Sequence, residues 1–383
     1  MRRFFLIAGE PSGDALGAAL MAGLKELCPG VAFTGVGGPL MQAEGLASLF
    51  PMEELSVMGL AEVLPRYPQL MRRIKQSARA VLDDSPDALI TIDSPDFSLR
   101  VARRVKAASH IRTVHYVAPT VWAWRPHRAA KMAEIVDQVL ALFPFEPPYL
   151  EREGIRCDFV GHPVAVQPTP TEREIADLRA AHGLGAEARV LLVLPGSRAG
   201  EVGRLAPVFG AAIAPVLARH PALRVAVPAA PAVAGLVKDL TAAWPGAPVV
   251  IEPRSAAEKR ACFATADAAL AASGTVSLEL AAAATPMVIA YDMAWLSRQV
   301  IARMLRVDTV TLVNLVSERP AVPEFLGAAC KPAPIAAALI DLLDDAEARA
   351  GQLDAARLTM ERLGRGGPPP GLRAARAVLD GLG

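Results

Sequence analysis

The chain has 383 residues and balanced charge, with 40 Lys and Arg against 39 Asp and Glu. At roughly 100–200 residues per domain, this length predicts two domains. The balanced charge argues against a nucleic-acid partner held by phosphate neutralisation. The mean hydropathy of +0.32 is high. However, the longest uncharged stretch, residues 205–218, falls short of the about 20 residues that a membrane span needs, so no span is expected.

Short apolar segments alternate with helical stretches along the first half of the chain. Strands are predicted at residues 4–8, 32–36, 88–92, 113–117, 139–142 and 158–160. Each is apolar on both faces, as parallel strands covered by helices are. A proline-rich segment, residues 162–171, interrupts this alternation and is predicted to be a linker.

The same alternation resumes after the linker. Strands are predicted at residues 190–194, 224–227, 249–251, 268–271 and 287–291. The sequence therefore predicts an α/β protein with two consecutive doubly wound domains, residues 1–165 and 166–365. A C-terminal helix is expected within residues 366–383. Cys28, Cys157, Cys262 and Cys330 lack metal-ligand spacing and are predicted to be buried thiols.

The loop after the first strand carries two carboxylates next to a helix N-terminus. Its polar side chains are Glu10, Ser12 and Asp14. Carboxylates at this position oppose phosphate binding and suit the hydroxyl groups of a sugar. The alternative is a capped turn in which Ser12 or Asp14 serves the helix N-terminus.

Two later loops of the first half carry a candidate general base and a candidate carbohydrate site. Asp93 follows the strand at 88–92, where a carboxylate on the rim of the sheet can act as a general base. A loop-shaping Asx-turn is the alternative. The loop around Trp122, Arg125 and Arg128 combines an aromatic face for a sugar ring with guanidinium groups for a phosphate, although packing of the loop explains a tryptophan equally well.

Two loops of the second half predict a nucleotide site. Each ends a strand and opens a helix, and they contain Gly196, Ser197 and Arg198, then Ser273, Gly274, Thr275 and Glu279. Backbone N–H groups at a helix N-terminus favour an anion, and Arg198 adds a permanent charge. Glu279 lies one helical turn beyond Thr275, so its carboxylate can accept hydrogen bonds from ribose hydroxyls. Neither a D-x-D pair nor H-E-x-x-H occurs, so no metal is expected.

Taken in order, these motifs resemble those of the lipid-A-disaccharide synthases. The segments that carry the resemblance are residues 8–14, 37–41, 56–59, 92–97, 122–125, 161–163, 194–198 and 273–275. The resemblance implies a GT-B glycosyltransferase whose two Rossmann-like domains face a central cleft, working by inversion without metal or cofactor. The implied reaction joins UDP-2,3-diacylglucosamine to the 6-hydroxyl of 2,3-diacylglucosamine 1-phosphate and releases UDP and a β-1,6 disaccharide 1-phosphate.

The resemblance also implies roles for individual residues. Asp93 would be the catalytic base. The donor would be bound by Arg198, Ser197, Gly196, Ser273, Gly274, Thr275, Glu279 and Asn314. The acceptor would meet Glu10, Ser12, Asp14, Trp122, Arg125 and Arg128. Rival interpretations are a UDP-N-acetylglucosamine 2-epimerase, a peptidoglycan N-acetylglucosaminyltransferase and a nucleotide-sugar sensor without catalysis.

Residues 57–75 combine apolar and basic side chains, as in segments that lie on an anionic membrane. The residues predicted to contact the membrane are Val57, Met58, Leu60, Leu64, Leu70, Met71, Arg66, Arg72, Arg73 and Lys75. An ordinary amphipathic helix packed on the first sheet is the alternative. With acylated substrates, the expected location is peripheral, on the cytoplasmic face of the inner membrane of a Gram-negative cell. The helical tail permits a homodimer with exchanged tails.

Overall fold

The computed structural model describes residues 2–55, 60–120, 127–293 and 308–383, without the side chains of residues 60–65 and 127. The chain divides into two compact units. The first comprises Met1–Val166 and Leu363–Gly383, and the second comprises Gln167–Arg362. The C-terminal helix therefore belongs to the first unit.

The first unit is built on a parallel seven-stranded sheet. Its strands are β1 (Arg3–Ala8), β2 (Ala32–Val36), β3 (Ala47–Ser48), β4 (Ala88–Ile92), β5 (Arg112–Tyr116), β6 (Gln138–Ala141) and β7 (Arg156–Phe159). Their order in the sheet is β3-β2-β1-β4-β5-β6-β7. The register places Phe4 of β1 opposite Phe33 on one side and Ala88 on the other.

Helices cover both faces of this sheet. They are α1 (Pro11–Leu27), α2 (Pro39–Ala43), α3 (Leu60–Asp84), α4 (Pro95–Ala108), α5 (His127–Ala133) and α6 (Pro147–Glu151), with short 3-10 turns at Met52–Glu54 and Pro163–Val166. On one face Phe4 and Leu6 pack with Leu20 of α1. On the other, Phe5 and Ile7 pack with Val101 of α4. Burial on both faces explains why these strands are continuous apolar runs.

The second unit repeats the plan with six parallel strands. They are β8 (Val190–Leu194), β9 (Arg224–Pro228), β10 (Val249–Ile251), β11 (Ala268–Ala271), β12 (Met287–Tyr291) and β13 (Glu324–Leu326), in the order β10-β9-β8-β11-β12-β13. Its described helices are α7 (Glu172–Ala181), α8 (Ala199–Arg219), α9 (Ala234–Thr241), α10 (Ala256–Ala264), α11 (Val276–Ala282), α12 (Leu312–Ser317), α13 (Pro332–Asp344) and α14 (Ala346–Arg362), with 3-10 turns at Pro231–Val233 and Gly327–Ala329.

The last helix, α15 (Pro370–Leu382), packs against α1. The two backbones approach closely, because a Cβ atom added at Gly371 would lie 2.4 Å from the carbonyl oxygen of Ala19. Glycine is therefore required at this crossing. The packing buries the inner face of the tail helix against the first unit.

Every predicted strand is present, with bounds within two residues of the prediction. The two missed strands, Ala47–Ser48 and Glu324–Leu326, are short and add to the edges of their sheets. Too few residues lie in either to produce a periodic apolar pattern. Three of the four cysteines are buried as predicted, whereas Cys28 is only half-buried.

Among the described helices, only α8 has the length and hydropathy of a membrane span. Val202, Leu205, Phe209 and Ile213 of this helix are fully buried in the core of the second unit. Its apolar character is accounted for by this packing, as in the central helix of many α/β domains.

Candidate active site

Both units place their predicted functional loops where the strand order reverses. In the first unit β1 lies beside β4, and in the second unit β8 lies beside β11. Ligands of open α/β sheets bind outside the carboxyl ends of the strands at this point. Gly9 and Asp93 follow the first pair of strands, and Gly196 and Ser273 follow the second pair shortly after their ends. The topology therefore brings each pair of loops together.

The backbone around Asp93 is strained. Asp93 and Ser94 have φ values of +51° and +44°, and Val117, at the end of the neighbouring strand β5, has +82°. Such conformations cost about 1–3 kcal/mol each for residues with a side chain and cluster at functional sites. Strain at the ends of adjacent strands marks this edge of the sheet as a candidate active site.

The Asp93 side chain combines a structural contact with an available oxygen. Its Oδ1 accepts a hydrogen bond from the backbone N–H of Ser94 at 2.8 Å, and its own N–H donates to the carbonyl of Tyr116 at 2.9 Å. Within the described part of the chain, no group donates to Oδ2. The half-buried carboxylate is thus held in position with one oxygen open to a substrate hydroxyl.

Asp14 has a positioning role. Its side chain is 2% exposed, and the backbone N–H groups of Gly38, Leu40 and Met41 donate to its carboxylate at 2.9, 2.9 and 3.0 Å. These donors belong to the N-terminus of α2, whose free N–H groups need acceptors. Asp14 therefore caps a neighbouring helix, a role close to the capping alternative, and its contact with the acceptor stays a prediction.

The other predicted acceptor residues belong to two segments, one that follows β1 and one that follows β5. Glu10 is half-buried at the start of α1, Ser12 is exposed in its first turn, and Arg128 is exposed on α5. Trp122 and Arg125 lie outside the described residues. Glu10 and Ser12 follow β1, so they share the carboxyl edge of the sheet with Asp93.

A cavity of about 620 Å³ opens at the carboxyl ends of the second sheet. This lies within the about 300–1,000 Å³ typical of small-molecule sites. Its lining includes most of the predicted donor residues: Gly196, Ser197, Ser273, Gly274, Thr275 and Glu279. Two loops that are distant in the sequence thus form one site.

The first of these loops is shaped by Glu201. Gly196 has a φ of +127°, and a Cβ atom there would lie 2.7 Å from the Cβ of Glu201, so glycine is required. The Glu201 carboxylate accepts a hydrogen bond from the N–H of Ser197 at 3.3 Å and lies 3.5 Å from Arg198. Arg198 precedes α8 with its side chain 67% exposed. Its guanidinium is therefore accessible beside the cavity.

The cavity also contains cations that sequence patterns missed. Lys259 forms an ion pair with Glu279 at 2.6 Å, and Arg254 lines the same wall. Both residues lie in or just before α10, a segment without a phosphate-binding motif. The ion pair orients the Glu279 carboxylate, which was predicted to meet a ribose.

The side-chain amide of Asn314 is buried and forms hydrogen bonds within the second unit. Its side chain is 4% exposed, its Nδ2 donates to Val322 O at 2.9 Å and Thr309 Oγ1 at 3.3 Å, and its Oδ1 accepts from Val322 N at 2.9 Å. Both amide N–H groups have partners. Asn314 thus stabilises the turn before β13, and its contact with the donor stays a prediction.

The amphipathic helix α3 is only partly available to a membrane. Leu70 and Met71 pack against the core of the first unit. Arg73 donates to both carboxylate oxygens of Glu54, at 2.8 and 2.6 Å, and lies over the ring of Phe50. These contacts hold Leu70, Met71 and Arg73 against the first unit, and their contact with a membrane stays a prediction.

The other residues predicted to meet the membrane fall into two groups. Arg66, Arg72 and Lys75 are exposed. Val57 and Met58, and the side chains of Leu60 and Leu64, lie outside the described residues.

A buried histidine lies on the strand next to the candidate base. His115 of β5 is 1% exposed and its Nδ1 lies 2.8 Å from Thr91 Oγ1 of β4. Burial lowers its pKa from the ordinary 6.5 to about 4. The unfolded chain therefore binds more protons than the folded chain between these values.

We expect the free energy of unfolding to fall as the pH is lowered from 6.5 to 4, by about 3 kcal/mol from His115 alone. Urea unfolding across this range should show a weaker pH dependence for His115→Asn than for the natural chain. His110→Asn, which changes an exposed histidine, should keep the original dependence. Equal slopes for all three proteins would contradict this account.

A family model described as lipid-A-disaccharide synthetase matches residues 4–366. The chain belongs to the lipid-A-disaccharide synthase family. A lipid-A-disaccharide synthase of Ruegeria pomeroyi is 65% identical over 388 residues, covering 100% of this chain and 96% of the relative. One of Rhodospirillum centenum is 49% identical over 378 residues, covering 98% and 94%. As a member of the lipid-A-disaccharide synthase family, the chain is a glycosyltransferase of lipid A biosynthesis, and the epimerase alternative is not favoured.

Solved structures with little sequence identity share the fold of this lipid-A-disaccharide synthase family member. The Staphylococcus aureus MnaA–UDP structure gives a TM-score of 0.65 at 13% identity, covering 99% of this chain and 95% of that one. MurG of Acinetobacter baumannii gives 0.55 at 12% identity, covering 99% and 98%. With the strand orders above, these likenesses confirm the predicted α/β fold of GT-B type with two Rossmann-like units.

Proposed function

We propose that the chain transfers 2,3-diacylglucosamine from UDP-2,3-diacylglucosamine to the 6-hydroxyl of 2,3-diacylglucosamine 1-phosphate, with inversion at the anomeric carbon. The products are UDP and the β-1,6-linked disaccharide 1-phosphate. The observation that carries the proposal is that each unit has one candidate group where its strand order reverses. The first unit has the strained Asp93 carboxylate there, and the second unit has a cavity of nucleotide size.

In the proposed reaction Asp93 acts as the general base. Its Oδ2 accepts the proton of the acceptor hydroxyl as the hydroxyl oxygen attacks the anomeric carbon. The bond from that carbon to the diphosphate oxygen breaks on the opposite face, which inverts the configuration. The hydrogen bond from Ser94 N–H to Oδ1 supports this role, because it holds the carboxylate in one orientation.

In the second unit, the proposed donor site neutralises the departing diphosphate without a metal. Arg198 supplies a fork of N–H donors, and the loops before α8 and α11 present backbone N–H groups to the diphosphate. Glu279, oriented by Lys259, accepts hydrogen bonds from the ribose. Preorganised donors of this kind stabilise charge that develops in the transition state.

The direct test measures UDP release from UDP-2,3-diacylglucosamine with and without the acylated acceptor. Release that requires the acceptor, together with formation of the disaccharide, supports the proposal. Formation of an epimerised sugar without acceptor would identify the chain as an epimerase. Donor binding without turnover under both conditions would identify a sensor.

We also propose that the protein binds peripherally to the cytoplasmic face of the inner membrane through α3. Exposed Arg66, Arg72 and Lys75 supply positive charge near Tyr67, whose side chain is 47% exposed. A basic residue near an anionic membrane surface contributes about 1 kcal/mol. The proposed substrates carry acyl chains and reside in the membrane, so a membrane-binding surface would bring the protein to them.

Replacing Arg66, Arg72 and Lys75 together by Ser is expected to weaken partitioning onto anionic vesicles by about 100-fold. Co-sedimentation with vesicles containing phosphatidylglycerol measures the effect. Arg79→Ser is the control, because Arg79 lies on the same helix but already pairs with Asp83 at 3.6 Å. Undiminished vesicle binding by the triple variant would exclude α3 as the membrane contact.

A further inference from the structure

A second, smaller cavity lies beside the candidate base in the first unit. It has a volume of about 210 Å³ and is bounded by α4, α5 and the loop after β5. Among the described residues, four basic side chains line it, namely Arg100 and Arg103 of α4 and Arg128 and Lys131 of α5. Of these, only Arg128 was identified from the sequence. The cluster arises because residues of two successive helices line the same cavity.

The four cations have no ion-pair partner among the described carboxylates. By contrast, Lys106, also on α4, pairs with Asp137. Asp96 is the single carboxylate among the described residues that line the cavity. Like charges gathered at one site repel one another, and an anion bound between them would relieve this repulsion. The surplus of positive charge predicts an anionic ligand.

The walls between the cations are apolar. Leu99, Met132 and Ile135 line them, and Met132 and Ile135 are almost fully buried. The volume of about 210 Å³ lies below the about 300–1,000 Å³ of sites that enclose a whole small molecule. The cavity therefore suits one charged group of a larger amphipathic ligand. A phosphate monoester carries about −1.5 to −2 charges at neutral pH and accepts forked hydrogen bonds from arginine.

The position of the cavity connects it to the reaction. Helix α4 begins directly after Asp93 and Ser94, and its first residues, Pro95 and Asp96, line the cavity. Pro119 reaches it from the loop beyond the strained Val117. Lining residues of the cavity therefore follow Asp93 within three positions of the chain.

We propose that this cavity binds the phosphate monoester of the acylated sugar acceptor, with Arg100, Arg103, Arg128 and Lys131 as its ligands. The inference rests on the proposed function, because it takes Asp93 as the base for the same acceptor. The cavity would then make the protein prefer phosphorylated acceptors to unphosphorylated ones. Binding of the phosphate orients the sugar so that its attacking hydroxyl reaches Asp93.

The test uses the double variant Arg103→Ala/Lys131→Ala of the full chain. The ratio of kcat/KM for the phosphorylated acceptor to kcat/KM for the same acceptor without phosphate is measured at saturating donor. We expect this ratio to fall at least tenfold, with the KM for the donor unchanged. Arg104→Ala is the matched control, since Arg104 is an exposed neighbour on α4 that does not line the cavity, and it should keep the original ratio.

An unchanged ratio in the double variant would overturn the proposal. A double variant that loses binding to phosphatidylglycerol vesicles but keeps the ratio would show that the cavity holds a phospholipid head group instead, which also overturns it.

Failure of the proposed function is a separate result, seen when the natural chain releases no UDP with either acceptor. The cavity is then tested by calorimetry with glucosamine 1-phosphate. If the natural chain binds glucosamine 1-phosphate and the double variant does not, the phosphate site is supported. If the natural chain does not bind glucosamine 1-phosphate, the phosphate site is rejected.

Discussion

Asp93→Asn is expected to lower kcat by about 10²–10⁴-fold while the KM values for donor and acceptor stay nearly constant. The amide has the shape of the carboxylate and can still accept the hydrogen bond from Ser94 N–H, so the strained turn is preserved. What is lost is the ability to take a proton in the transition state. Steady-state UDP release measures the effect.

A carboxylate elsewhere in the same unit provides the control for this substitution. Asp83→Asn removes an exposed charge of α3 that pairs with Arg79, and it should leave kcat unchanged. If Asp93→Asn turns over nearly as fast as the natural chain, Asp93 is not the general base. A fall in thermal stability that accompanies the loss of activity would indicate a structural role for Asp93.

Arg198→Ala is expected to lower kcat/KM for the donor by about 10²–10³-fold, the range found when one preorganised charge-stabilising donor is removed. The exposed Arg198 side chain lies 3.5 Å from the Glu201 carboxylate, which lines the cavity. In the proposed donor site its guanidinium would offset the negative charges of the diphosphate and of Glu201. Initial rates at several donor concentrations, and the inhibition constant of UDP, measure the loss.

Two further variants test how the Arg198 guanidinium contributes to kcat/KM for the donor. Arg198→Lys keeps the charge but not the planar fork, so an intermediate loss is expected. Arg219→Ala removes an arginine at the opposite end of α8, where it pairs with Asp344 at 3.1 Å, and should behave like the natural chain. Unaltered UDP inhibition in Arg198→Ala would place the diphosphate elsewhere.

Local sequence patterns were sufficient to predict the two α/β units. Strands such as Val190–Leu194 are buried on both faces, so their apolar character is visible without knowledge of their neighbours. Ligand loops follow the carboxyl ends of parallel strands by a general rule of topology. Asp93 and the Gly196 loop were identified in this way.

Side-chain roles that depend on distant partners could not be inferred from such patterns. Asp14 and Asn314 look like ligand-binding residues in a motif, yet one caps α2 and the other is occupied by Val322 and Thr309. Arg73 belongs to an amphipathic stretch, yet Glu54 neutralises it. In each case the contribution of a buried or paired polar group to the free energy of folding depends on whether it has a partner.

The chain's pattern of apolar runs thus determined its fold, and its ordered loop motifs indicated its family. Tertiary packing decided which charges are free to act there. It paired Lys259 with Glu279 and left the cations of α4 and α5 facing a shared cavity. The physical reason is that apolar burial follows from the local run of residues, whereas the strength of a charge depends on the distance to other charges, which only the folded chain sets.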